Sequence, residues 1–145
     1  MKKLVLLIAV LAVFAGCAKK ETNMTFSDVK TTYGKKDLTM FCMKNTGNTP
    51  LVAWVGLQKK VKEDWQTCVS DLQSSSSSDT KNVDRPMALN GSICESWDLA
   101  HTIKTQKLKV PGKYRLVFTF FDAGEAKQKE KTSVKTLYSE PFEIK

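Results

Sequence analysis

The sequence predicts an all-β fold, an antiparallel β-sandwich of about seven short strands, from three observations. No 11-residue window beyond residue 24 carries a convincing 3.6-residue apolar period, so an amphipathic helix is not the building block. Apolar residues fall instead in short runs, several of them alternating with polar ones. Clusters of Asn, Gly, Pro and Ser punctuate those runs, as turns between strands require.

Taken in order, the predicted strands span 25–30, 38–44, 51–59, 65–72, 92–99, 113–122 and 136–144. "NTGNTP" (45–50) supplies the turn between the second and third. "QSSSSSDTKNVDRP" (73–86), after the fourth, is polar and of low complexity, and reads as a mobile loop. "LNG" (89–91) introduces the fifth strand, in which Trp97 alternates with Glu95 and Leu99 and is expected in the core. "VPG" (110–112) introduces the sixth. There "YRLVFTFF" sets Tyr114, Leu116, Phe118 and Phe120 on one face, which is plainly core, and Arg115, Val117, Thr119 and Phe121 on the other. "AGEAKQKEKTS" (123–133) reads as a loose, solvated hairpin end before the last strand.

The N-terminus is organised differently. Lys2 and Lys3 precede an apolar stretch from Leu4 to Ala15, and Ala15-Gly16-Cys17 leads into polar Ala18-Lys19-Lys20, the layout of a secretory signal. The run is short for a membrane span, which needs about 20 residues. "FAGC" resembles the lipobox of bacterial lipoproteins, departing from it at Phe14, where the family usually carries an aliphatic residue. That resemblance implies cleavage before Cys17, acylation of its thiol, and a chain held to a membrane of the bacterial envelope by lipid, which two or three acyl chains make stable. The organisation is then a leader at 1–16, a lipidated tether at 17–24 and one domain at 25–145. No aspartate follows Cys17, which by resemblance to enterobacterial lipoproteins implies transfer to an outer membrane.

Two of the 23 basic residues lie in the leader, so 21 basic face 15 acidic residues beyond it, a net +6. Nearly all are lysines scattered along the chain, a solubilising surface that also favours encounter with an envelope protein or an anionic glycan. Nothing matches a nucleic-acid-binding motif, so nucleic acid is not an expected partner. Beyond Cys17, three cysteines in an oxidising compartment allow at most one internal disulfide. Cys68 and Cys94 bracket the polar loop and are the expected pair, with the two pairings through Cys42 left open; Cys42 itself sits in an apolar strand that suits a buried thiol.

"LTMFCMKNTGNTPL", "ALNGSICESWDL", "VPGKYRLVFTFF" and "YSEPFEI" resemble the strand signatures of bacterial immunoglobulin-like domains, in an order similar to the intracellular proteinase inhibitor family of bacilli. The resemblance implies an immunoglobulin-like sandwich, with Cys42 and Trp54 spaced as its strand B cysteine and strand C tryptophan, and Tyr114 as a tyrosine corner. Leu116 stands where that fold's second cysteine is expected, so the usual disulfide between strands B and F is absent and Cys42 fits a free core thiol.

Catalytic chemistry finds little support. His101 is the only histidine, no C-x-x-C spacing favours zinc, no serine has an elbow context, and no Walker or dinucleotide loop is present. We therefore expect no catalytic or metal-ligating residues and no cofactor. The expected function is a non-enzymatic binding module of the envelope, with a proteinase inhibitor or a structural envelope lipoprotein as alternatives. Candidate binding residues are Trp65, an aromatic among charges in "KVKEDWQTC", and Arg85 in the long loop.

Overall fold

The computed structural model of the protein describes residues 19–72 and 86–145. Cys17, Arg85 and the loop at 73–85 lie outside the described residues.

The fold is an all-β sandwich. Strands β1 (Met24–Ser27), β3 (Leu38–Asn45) and β6 (Ser92–Asp98) form one sheet in the order β1-β3-β6. The other sheet runs β2 (Thr32–Tyr33), β9 (Phe142–Ile144), β7 (Gly112–Asp122), β4 (Leu51–Val61), β5 (Asp64–Val69), and β8 (Lys135–Tyr138) pairs with β7 beside β9. All pairings are antiparallel except β2 with β9. The predicted strand at 136–144 is split into β8 and β9 around Ser139-Glu140-Pro141, because proline has no N–H to donate to a ladder.

The core lies between the sheets. Tyr114, Leu116, Phe118 and Phe120 of β7 are all buried, as their alternation predicts. Phe118 stacks on Phe26 of β1, with ring centroids 4.4 Å apart, and meets Phe41 of β3 edge-on at 5.8 Å. Trp97 is buried as expected, and its indole N–H donates to Thr102 Oγ1 (2.7 Å). Thr102 belongs to α1 (Leu99–Thr105), so the fifth strand, expected to reach residue 99, ends at Asp98. The helix begins because the Asp98 side chain accepts from His101 N–H, an N-cap, and Leu99 and Thr102 then turn their buried face to the core.

The tyrosine corner is present: Tyr114 O–H donates to the Lys109 carbonyl (2.6 Å). Gly112 is needed there, since a Cβ would sit 2.7 Å from both Lys109 O and the Tyr114 ring. Burial, reinforced by the nearby Cys68, pushes the Tyr114 phenol up from 10.0 to about 12.

Two expectations for the second strand are corrected. Thr39, Phe41, Met43 and Asn45 point into the core, which leaves Cys42 on the outer face of its sheet. Cys42 stands directly opposite Cys94 of the neighbouring strand, Cα to Cα 4.0 Å, and the two form the disulfide. The expected Cys68–Cys94 bond is therefore not made, and Cys68 is the free thiol among the described residues. Its strand belongs to the opposite sheet, whereas Cys42 and Cys94 are adjacent by register. Trp54 likewise lies on the outer face of its sheet, against Phe121, so neither it nor Cys42 forms the immunoglobulin core pair. A one-residue difference in which face is buried accounts for both.

The segment before β1 is fastened down rather than loose. Asn23 O accepts from the N–H groups of Thr46 and Gly47, Glu21 and Asn48 bond through backbone and side chain, and Lys20 pairs with Asp122 (3.5 Å). Gly47 permits this approach, because a Cβ would lie 2.2 Å from Glu21 O. Asn45, fully buried, holds the turn by donating to the Thr49 and Ala88 carbonyls and accepting from Gly47 N–H. The N-terminal segment thus meets the domain at the β3–β4 end.

Two outcomes follow. Peptide mapping without reduction is expected to yield a Cys42–Cys94 crosslink with Cys68 alone alkylated. Cutting that bond, which spans 52 residues, should lower stability by up to about 4 kcal/mol in urea; a Cys68–Cys94 peptide would contradict the register. Tyr114→Phe should cost about 1 kcal/mol at neutral pH through the lost hydrogen bond. The folded phenol titrates above its unfolded value, so its stabilising protonation is complete below about pH 10 and lost as pH rises toward 12. The stability gap between wild type and the phenylalanine variant should accordingly narrow over that range.

Candidate binding face

The outer face of the larger sheet is built by the residues that alternate with the core. From β4 these are Val52, Trp54, Gln58 and Lys60, from β7 Arg115, Val117, Thr119 and Phe121, with Trp65 from β5 and Tyr138 from β8. Its two halves differ. Toward the N-terminal segment, Trp54 packs edge-on against Phe121 at 5.8 Å, and Lys131 of the loop after β7 lies over Phe121 at 5.2 Å. That half is covered.

The loop itself, expected to be loose, is pinned. The Glu125 carboxylate accepts from Thr132 Oγ1 (2.8 Å), Ser133 Oγ (2.9 Å) and Ser133 N–H (3.1 Å), while Asp122 Oδ1 caps a 3-10 turn at Gly124 N–H. The Thr132 hydroxyl, followed by the Ser133 N–H, holds the Glu125 carboxyl below its usual range.

The far half of the face is open and carries a column of three side chains. The Arg115 guanidinium lies between two rings, its Cζ 4.4 Å from the Trp65 centroid and 4.0 Å from that of Tyr138. Register places it there: Arg115 is opposite Gln58, Trp65 opposite the adjacent outward residue Lys60, and Tyr138 opposite Val117. Arg115 Nε donates to Gln58 Oε1 (2.8 Å), and Gln58 Nε2 in turn approaches Thr67 Oγ1 (3.4 Å), which fixes the amide orientation. Lys60 Nζ lies 5.4 Å from the Trp65 ring. Tyr138 is 49% exposed, so one side of the column meets solvent. Such an arrangement can present a cation whose direction is already set.

A second feature is an open recess of about 390 Å³ lined by Cys68, Asp71, His101, Thr102, Thr105 and Gln106. It gathers a thiol, an imidazole and a carboxylate, the residue types of a nucleophilic site. The thiol is not activated, however. Cys68 Sγ–H donates to the Leu57 carbonyl (3.2 Å), and burial pushes its pKa up, which keeps it protonated at neutral pH. Among the described residues no group of three or more His, Cys, Asp or Glu is placed to hold a metal ion, and no helix is long and apolar enough to cross a membrane.

Of the residues singled out from sequence, Trp65 is half-buried and belongs to the column, Cys94 is bonded to Cys42, and Cys68 lines the recess. Cys17, the expected lipid attachment residue, and Arg85, the other binding candidate, lie outside the described residues. Arg115 and Tyr138 were missed. The signal for Arg115 was present, since it is one of two arginines and the outward member of an otherwise apolar alternation.

No protein-family model matches the chain, and no curated protein sequence matches it. Among solved structures it is similar to β-glucosidase from Listeria innocua, in complexes with isofagomine (9% identity, TM-score 0.41) and with glucose (7% identity, TM-score 0.37). In each case the match covers 87% of this chain and 16% of the other.

Arg115→Ala should destabilise the domain by about 1.5 to 3.5 kcal/mol, the sum of two exposed cation–π contacts and one hydrogen bond. A double-mutant cycle in urea between Arg115→Ala and Trp65→Leu should return a coupling of about 0.5 kcal/mol or more. A coupling of zero would mean the column does not hold together in solution.

Proposed function

We propose that the protein is a lipid-anchored lipoprotein of the bacterial envelope whose domain serves as a non-enzymatic binding module, with the outer face of the larger sheet as its binding surface. Cys17 carries the lipid. The observation that supports this reading best is the opposition of two ends. The segment from Lys19 to Asn23 is bonded to the β3–β4 turn, and the open column sits along β4 beyond its midpoint, about 23 Å away for the seven steps from Leu51 to Gln58. A domain tied to a membrane at the first end presents the second outward.

The same geometry disfavours the inhibitor alternative for the loop at 123–133, which lies at the N-terminal end and would face the anchoring surface.

Intact mass of the protein from the membrane fraction is expected to show a chain beginning at Cys17 with added acyl mass. An unacylated chain in the soluble fraction would remove the anchor from this reading. In-cell crosslinking from a photoreactive residue at Val117, on the open half, is expected to capture a discrete partner, whereas capture only from positions in the covered half would move the surface elsewhere.

A further inference from the structure

We propose that the column of Trp65, Arg115 and Tyr138 is a carboxylate-recognition site for an acidic polysaccharide, read by the guanidinium fork of Arg115; this rests on the binding-module reading above. The fork is unused. Arg115 spends Nε on Gln58, and its Nη atoms donate to no residue and pair with no carboxylate among the described residues. They are not sealed in either, since the one buried side-chain polar atom without a partner there is Thr49 Oγ1. Two Nη groups side by side match the two oxygens of a carboxylate, a bidentate geometry that lysine cannot supply.

The fork is also held in place before any ligand arrives. Rings on both sides and the Gln58 hydrogen bond restrict the side chain, so little rotamer freedom remains to be lost on binding. Local charge points the same way. Lys60 flanks Trp65, and the nearest hairpin carboxylates, Glu63 and Asp64, form no ion pair with Arg115 or Lys60 among the described residues.

Placement selects the occupant. Headgroups of the anchoring membrane lie at the other end of the domain, and because β5 and β8, which carry Trp65 and Tyr138, are each paired on one side only, an acidic peptide added at an edge is the competing occupant that the titration below separates. A polymer of rigid, carboxylated sugar rings needs no ladder. It can lay one ring along the exposed Tyr138 while its carboxylate meets Arg115.

The test is titration of the isolated full chain with a polyuronate oligosaccharide, a neutral oligosaccharide of equal length, a poly-glutamate peptide and anionic lipid vesicles, at low and at physiological salt. The expected result is binding of the polyuronate in preference to the other three, weakened by salt. Arg115→Lys should lower that affinity about tenfold or more while the variant keeps a single cooperative urea transition; Tyr138→Leu should lower it as well. Equal binding of poly-glutamate or vesicles, or an unchanged affinity in Arg115→Lys, overturns the proposal. If the polyuronate fails to bind while crosslinking at Val117 still captures a discrete partner, this ligand class is wrong and the binding-module reading stands. If both fail, both are removed.

Discussion

Phe118 packs against Phe26 and Phe41 and so joins the two sheets. β7 is paired with β4 on one side and with β8 and β9 on the other, so it is the central strand of the larger sheet, and Phe118 is its contact with both β1 and β3 of the smaller one. Stacked and edge-on rings at these distances favour one orientation of the strand. With a period of two, turning Phe118 inward turns Arg115 outward. The core and the candidate site are thus opposite faces of the same eleven residues.

A second constraint sets the polarity of the molecule. Asn45 is buried and its amide satisfies three carbonyls and one N–H around the β3–β4 turn, a cluster that is costly to disturb because a buried polar group without partners is penalised. That turn receives the chain entering from residue 19, so one end of the sandwich is occupied by the N-terminal segment and by the pinned loop after β7. The opposite end keeps its outer face open. The pinned loop also covers Phe121 and limits the apolar surface left in water.

Legibility in the sequence followed alternation. "YRLVFTFF" declared both faces of β7, and Trp97, Tyr114 and the turns at Gly47 and Gly112 were readable because each rests on local chemistry. The disulfide was not, since pairing depends on which strands become neighbours and in what register; loop-bracketing by Cys68 and Cys94 is a weaker guide than the direct opposition of Cys42 and Cys94. Helix α1 is only seven residues, too short to display a period. The column was unreadable for the same reason as the disulfide. Trp65, Arg115 and Tyr138 come from three strands far apart in sequence, and only sheet order brings them together.

On the open face, β7 holds Arg115 between two aromatic rings. The most direct measurement is the proton NMR shift of the Arg115 side chain in the folded protein. Rings on both sides should move its Hδ and Hη resonances well upfield of an unstructured arginine, and Trp65→Leu and Tyr138→Leu should each return part of that shift. Arg115 resonances at unstructured values in the folded wild type would contradict the column and the binding site built on it.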